Sequence, residues 1–232
     1  TAPALSRPRI VVLISGNGSN LQALIDASQR PPSSLAMTSE AELLTLPADI
    51  ALVVSNKSKA FGLERAAKAG IPTWVHTLKP YRERHAADPD PTHAPAPRAV
   101  YDRDLALGIL ERVPNPQLIV LAGWMHILSP AFLDTMGATC PVINLHPALP
   151  GAYDGIDAIG RAFRDFQAGK TQHTGIMVHR VIPEVDRGDV VLSCPVPILP
   201  EDTQETLEAR MHEAEHRLIV QGAAAVLAAT AP

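Results

Sequence analysis

Cysteine is scarce in this chain: Cys140 and Cys194 are the only two among 232 residues, and no metal-ligand spacing involves them. A disulfide scaffold is thereby excluded, and both thiols are expected to be buried, inert and reduced. Long hydrophobic runs are missing too. The longest, such as 118–122, are strand-sized, whereas a membrane helix needs roughly 20 apolar residues, so no membrane partner is expected. Residues 1–8 lack the apolar core of a secretion signal, which makes a cytoplasmic location the expectation. Neither sign of charge prevails: 20 Lys and Arg against 24 Asp and Glu leave a net charge of -4, and no basic run occurs. Nucleic acid is therefore not an expected partner. What the chain does have is 46% hydrophobic and 19% charged residues, enough for one sizeable core, so 1–232 is expected to form a single domain.

The apolar pattern alternates between strand and helix periods. Residues 9–15 (Ile10 to Ile14 without a polar break) suit a fully buried strand, and 21–27 follow with helical spacing. Further strands are expected at 50–55, 73–78, 118–122 and 141–145, with helices at 59–69, 101–112 and 130–136 between them. Such alternation implies a parallel sheet with right-handed crossovers. Ile156, Ile159, Phe163 and Phe166 then mark one helix face, 174–181 and 189–196 an antiparallel pair, and 202–228 a long helix opened by Asp202 with Glu205 three residues on. The fold class expected is α/β: a Rossmann-like, mostly parallel sheet with helices on both faces, closed by a C-terminal antiparallel strand pair and a long helix. Two segments, 31–47 and 79–97, read as surface insertions, the second too proline-rich to hold regular structure.

Asn144-Leu145-His146-Pro147 closes the strand at 141–145. Side chains two apart on a strand share a face, and Pro147, lacking an amide hydrogen, should stop the strand just after the histidine. That leaves a carboxamide and an imidazole at the carboxyl edge, where open parallel sheets bind ligands. Asn144 can donate to a developing oxyanion while His146 moves a proton, which suits acyl transfer. The same two residues could equally be polar caps on a strand end.

The loop Ser15-Gly16-Asn17-Gly18-Ser19-Asn20 joins the first strand to the first helix. Free amides at a helix start make an anion site. A dinucleotide fingerprint would need a third glycine where Leu21 stands, and a nucleoside-triphosphatase loop would need a lysine that this loop lacks. What remains suits one phosphomonoester, with Ser19 and Asn20 as side-chain donors, or a glycine turn that only packs helix on strand. His212-Glu213-Ala214-Glu215-His216 matches the zinc-protease pattern. No His, Asp, Glu or Cys follows His216 as a third ligand, so no metal is expected there. On a helical wheel Leu207, Met211, Ala214 and Leu218 form a buried stripe with Glu215 at its edge, while His212 and His216 turn outward. Asp186, ahead of Gly188, has the composition of an ordinary turn former, though a hairpin folded over the sheet edge would bring its carboxylate near His146.

Taken together, Ile14 to Gln22, Val54-Ser55-Asn56-Lys57, Leu121 to Pro130, Asn144-Leu145-His146-Pro147 and Asp186 closely resemble the phosphoribosylglycinamide formyltransferases of de novo purine synthesis, over nearly the whole chain. Asn-x-His with a distant Asp is shared by formyl-tetrahydrofolate enzymes in general, and the Gly-Asn-Gly-Ser-Asn loop points to the phosphoribosyl substrate. The resemblance implies a one-carbon transferase that uses 10-formyltetrahydrofolate as cosubstrate, with no tightly bound cofactor and no metal. Its substrates would be 5'-phosphoribosylglycinamide and the folate, and it would be a monomer or weak homodimer. Asn144, His146 and Asp186 would be catalytic, with Asp186 raising the histidine pKa. Gly18, Ser19 and Asn20 would hold the phosphate and Glu215 the ribose. Arg103, Met125, His126, Ile127, Leu128, Asn144, Val181 and Asp186 would border the folate. His126 stands where bacterial members commonly have Arg, and the two insertions look more like the fungal single-function form. At 232 residues the chain is not expected to carry the further purine-pathway domains that animals fuse to this activity. The rivals are another formyl-folate enzyme, either a hydrolase or a transferase with a different amine acceptor, and a binding module that keeps the pocket without turnover.

Overall fold

The computed structural model describes residues 7–30, 44–87, 96–137 and 140–230. The larger parts of the segments 31–47 and 79–97, residues 31–43 and 88–95, lie outside the described residues. The chain divides into two compact units, Thr1–Leu21 with Ala48–Pro141, and Gln22–Pro47 with Val142–Pro232.

In the first unit the strands β1 (Arg9–Ile14), β2 (Asp49–Ser55), β3 (Thr73–Val75) and β4 (Leu118–Leu121) lie in the order β3-β2-β1-β4, all parallel. Ile10 to Ile14 are wholly buried, as an unbroken apolar run requires of a strand covered on both faces. The helices are α1 (Ser19–Gln29), within which the unit boundary falls, α2 (Phe61–Lys68), α3 (Lys79–Ala86), α4 (Pro97–Arg112) and α5 (Pro130–Met136). In the second unit β5 (Val142–His146) pairs antiparallel with β6 (His173–Arg180), and β6 with β7 (Val190–Pro197). Helices α6 (Ala158–Gln167) and α7 (Gln204–Thr230) complete it, α7 packing on β6 and β7. The chain thus has the expected Rossmann-like α/β fold, with an antiparallel C-terminal strand set and a long final helix.

Several local expectations need correction. Residues 79–97 are not devoid of regular structure, because α3 occupies Lys79–Ala86 and α4 starts at Pro97. Proline is harmless in a first helical turn, whose amide hydrogens have no intrahelical acceptor anyway, and Pro80, Pro97 and Pro130 all sit there. β3 stops at Val75 rather than 78, its last tie being the His76 amide donating to the Ser55 carbonyl at 2.9 Å. Ile156 does not belong to the α6 face; it precedes the helix and is 85% exposed. The cap of α7 is Thr203 rather than Asp202: the Thr206 amide donates to Thr203 Oγ1 at 3.3 Å and the Thr203 amide to Thr206 Oγ1 at 3.0 Å. Thr206 takes the place expected of Glu205 in that reciprocal box. Asp202 instead receives both Arg210 terminal nitrogens at 2.7 Å and the Leu199 amide at 2.7 Å. The Arg210 guanidinium, chiefly, holds its carboxyl far below the usual range. Of the cysteines, Cys140 is buried and its thiol pushed up to about 12 by burial, whereas Cys194 is only half-buried.

The first loop depends on two glycines. Gly18 has φ 76°, and a Cβ on it would lie 2.7 Å from Gly62 Cα; a Cβ on Gly62 would lie 2.5 Å from the buried Ile14 Cδ1. The Gly62 amide donates to the Gly16 carbonyl at 3.1 Å, so α2 begins with its backbone pressed against the loop. Gly62→Ala should therefore lower the unfolding free energy by roughly 1–3 kcal/mol through overpacking, despite the better helix propensity of alanine. Urea denaturation measures this, and an unchanged or raised midpoint would show that the contact has slack.

Candidate active site

β5 places its two polar side chains as the period of a strand dictates. Asn144 and His146 lie on one face, and the register sets Asn144 directly opposite His179 of β6. β5 ends at His146, with Pro147 next. Asp186 comes from the turn between β6 and β7, where it adopts φ 55°, a left-handed conformation that Asp tolerates better than most residues. Gly188 allows the turn to close, since a Cβ there would strike the Arg180 carbonyl oxygen at 1.8 Å. The turn is tied to the segment before α6 by the Gly155 amide donating to Asp186 Oδ2 at 2.8 Å and by Arg187 paired with Asp154 at 2.6 Å.

Within this arrangement Asp186 also meets three side chains. Oδ2 lies 3.5 Å from His146 Nδ1, and Oδ1 lies 3.4 Å from His179 Nε2 and 3.5 Å from Asn144 Nδ2. The side chains of His146, His179 and Asp186 are each less than a tenth exposed. Both ring nitrogens of His146 face acceptors, but Nε2 lies 3.1 Å from the Tyr153 carbonyl whereas Nδ1 meets the Asp186 carboxylate only at 3.5 Å, so the geometry favours the proton of the neutral ring on Nε2, with Nδ1 turned to Asp186. The backbone of Tyr153 is left-handed, at φ 51°.

Burial lowers the His146 pKa below its ordinary value; the Asp186 charge and the Tyr153 carbonyl pull the other way without prevailing. The expected push from Asp186 is present and raises the histidine pKa, but desolvation of the imidazolium outweighs it. For Asp186, burial pushes the pKa up, but His179 and His146, each whenever its ring is protonated, and the donating Gly155 amide bring it below the ordinary carboxylate value. At neutral pH a neutral imidazole therefore faces an ionised carboxylate. A proton arriving at Nδ1 completes an ion pair already in place, which suits a base that accepts a proton and later returns it.

In the first unit, the loop Gly16 to Asn20 is held from two sides. Arg65 of α2 donates to the Asn17 carbonyl and to Asn17 Oδ1, both at 3.0 Å, and Ser15 Oγ accepts from the Met125 amide at 2.9 Å. Ser19 opens α1 half-exposed, with Asn20 beside it largely buried. The Met125 and Ile127 side chains are about two-thirds exposed (68% and 62%), His126 is half-buried against Tyr101 and Trp124, and the Leu128 side chain belongs to the core. Burial and the Arg98 charge lower the His126 pKa. Arg103 is on the exposed side of α4, paired with Asp104 at 3.1 Å. In the second unit, the Val181 amide donates to the Val142 carbonyl at 2.8 Å. Glu215 is buried on α7 beside the stripe of Leu207, Met211, Ala214 and Leu218, as the wheel predicts. His212 is exposed, but His216 is half-buried rather than turned outward. Among the described residues no group of three or more His, Cys, Asp or Glu is placed to hold a metal ion.

Asn144, His146 and Asp186 are thus brought together as expected. Sequence reasoning missed His179, the Tyr153 carbonyl and the Gly155 amide, and it missed Gly62 and Arg65 behind the glycine loop. Of these only His179 had a signal, since it lies in an expected strand, but finding it required the register.

Residues 8–223 match the family model described as formyl transferase. The chain belongs to the formyl transferase family. Phosphoribosylglycinamide formyltransferase of Schizosaccharomyces pombe is 48% identical over 213 residues, covering 91% of this chain and 93% of that protein. The Saccharomyces cerevisiae protein of the same name is 44% identical over 222 residues, covering 94% and 97%. Among solved structures, glycinamide ribonucleotide transformylase 1 from Geobacillus kaustophilus superposes with a TM-score of 0.74 at 31% identity, covering 95% of this chain and 99% of that one. Phosphoribosylglycinamide formyltransferase from Brucella melitensis gives 0.73 at 33%, covering 98% and 97%.

In this formyl transferase, burial sets where the acid limb of activity falls. If neutral His146 accepts the proton, kcat/KM should decline on acidification only below pH 6.5, the ordinary value from which burial lowers the group. Asp186→Asn removes a contribution that raises the His146 pKa, so the limb should move further toward acid while the plateau drops at least ~100-fold, the scale of impaired general acid–base catalysis. A pH–rate profile checks both, and an acid limb that moved upward in the variant would contradict the assignment.

Proposed function

We propose that the chain transfers the formyl group of 10-formyltetrahydrofolate to the amino group of 5'-phosphoribosylglycinamide in de novo purine synthesis. The observation that carries this is the convergence of Asn144, His146 and Asp186 in a chain whose similarity to phosphoribosylglycinamide formyltransferases covers nearly all of it. Transfer is direct. The glycinamide nitrogen attacks the formyl carbon, a C–N bond forms, and the carbonyl oxygen takes the negative charge of a tetrahedral intermediate. Asn144 donates a hydrogen bond to that oxyanion. His146 takes the proton that the attacking amine sheds, at the nitrogen facing Asp186, and returns it to N10 as the C–N10 bond breaks. The products are formylglycinamide ribonucleotide and tetrahydrofolate, one hydrogen having moved from amine to N10.

Gly18, Ser19 and Asn20 hold the 5'-phosphate through the amides and side chains at the start of α1, where the helix dipole favours an anion. Glu215 accepts from the ribose hydroxyls. Arg103, Met125 to Leu128, Val181, Asn144 and Asp186 border the folate, with Leu128 contributing backbone because its side chain is buried. The enzyme works in the cytoplasm as a monomer or weak homodimer.

A formylation assay with purified protein tests the proposal. Wild type should form formylglycinamide ribonucleotide from both substrates, and release of formate without an acceptor, or equal use of unrelated amines, would contradict it. Ser19→Ala should raise KM for the phosphorylated substrate roughly 10- to 100-fold, as expected on losing a hydrogen bond to a charged group worth ~1.5–3 kcal/mol, and should leave kcat within about twofold. An unchanged KM would remove Ser19 from the phosphate site.

A further inference from the structure

His179 enters no step of the transfer just described, yet it is almost fully buried against two of the residues that do. It stands on β6 directly across from Asn144. Its Nδ1 lies 2.9 Å from the Arg180 carbonyl oxygen. A carbonyl can only accept, so in the neutral ring the proton sits on Nδ1 and Nε2 carries the lone pair. Nε2 in turn lies 3.2 Å from Asn144 Nδ2. It is 3.4 Å from Asp186 Oδ1 as well, but a nitrogen without a hydrogen cannot donate to a carboxylate, and the shorter contact to an amide donor is the one that satisfies it.

We propose that His179 is a positioning residue for formyl transfer, its Nε2 lone pair fixing which end of the Asn144 carboxamide faces the reacting carbonyl. This rests on the function proposed above. A carboxamide has two ends of similar size and opposite polarity. Rotated by half a turn, Asn144 would present its oxygen to the developing oxyanion and repel it. One amide hydrogen of Asn144 is anchored on His179. The other points toward Asp186 Oδ1 at 3.5 Å, the outer limit of a hydrogen bond, so it is the hydrogen that can be given up to an oxyanion. The anchor chain therefore runs from the Arg180 carbonyl through both nitrogens of His179 to Asn144.

His179→Leu removes the acceptor, His179→Gln restores one near the Nε2 position, and His179→Asn keeps a donor near Nδ1 without that acceptor. His179→Leu should lower kcat about 10- to 100-fold, part of the cost of losing an oxyanion donor outright, with both KM values within about twofold. His179→Gln should recover most of the loss, and His179→Asn should not. In an Asn144→Ala background His179→Leu should cost less than about twofold more, because a residue acting through Asn144 has nothing left to orient. Thermal melting shows which variants fold, and the Gln and Asn pair decides the matter if the Leu variant does not. Equal rates for Gln and Asn, or an undiminished penalty in the Asn144→Ala background, would overturn the proposal.

One measurement is independent of the substrate. The Asn144 side-chain amide resonances, identified by their absence from Asn144→Ala, should be protected from hydrogen exchange in wild type and His179→Gln and lose that protection in His179→Asn. Identical protection in all three would overturn the positioning role even if wild type proved to formylate a different amine.

Discussion

The ion pair in waiting between Asp186 and His146 is the constraint around which the second unit is arranged. At 3.5 Å, a full charge on each partner would be worth about 5 kcal/mol at an effective dielectric near 20. Withdrawing an imidazolium from water costs several kcal/mol in the opposite direction. Because the two terms are of the same size, a proton can be taken up and given back without a deep trap on either side. A wholly exposed pair would lose the attraction to solvent screening, and a histidine buried without the acid would hardly take the proton.

Holding that balance requires backbone that is not relaxed. Asp186 and Tyr153 both sit at positive φ, a conformation that costs roughly 1–3 kcal/mol for a non-glycine residue in a sparsely populated region. Each supplies a contact to His146: Asp186 its carboxylate, and Tyr153 the carbonyl that accepts a hydrogen bond at Nε2. The Gly155 amide and the Arg187–Asp154 pair tie the two segments to one another. The cost of the strained conformations is thus offset by hydrogen bonds made between the very segments that carry them.

Much of the fold was legible because strand and helix leave different apolar periods. Ile10 to Ile14 could be little else than a buried strand, and the Leu207, Met211, Ala214, Leu218 stripe placed Glu215 correctly. The errors came from local chemistry that admits two outcomes. Proline breaks a helix interior but starts a helix well, so counting prolines hid α3 and the first turn of α4. Asp202 and Thr203 are both good caps, and the bidentate Arg210 claims the first for another purpose. Asn144 and His146 could be paired from their spacing and from Pro147 alone, whereas Asp186 had only a turn former's signature and depended on family resemblance.

His179 shows why the rest of the site was hidden. Strands 141–145 and 174–181 were both expected, but side-chain pairing across two strands depends on register, and a slip of one residue would have turned His179 to the opposite face. Register here is set by long-range ties such as the Val181 amide donating to the Val142 carbonyl at 2.8 Å, which no local pattern announces. The net direction of the His146 pKa was hidden for a related reason. A neighbouring carboxylate can be inferred from sequence, but the depth at which the pair is buried is a property of the packed whole, and here burial has the larger effect. Residue types therefore identify which groups can react, while the protonation state in which they wait is decided only when the surrounding segments close over them.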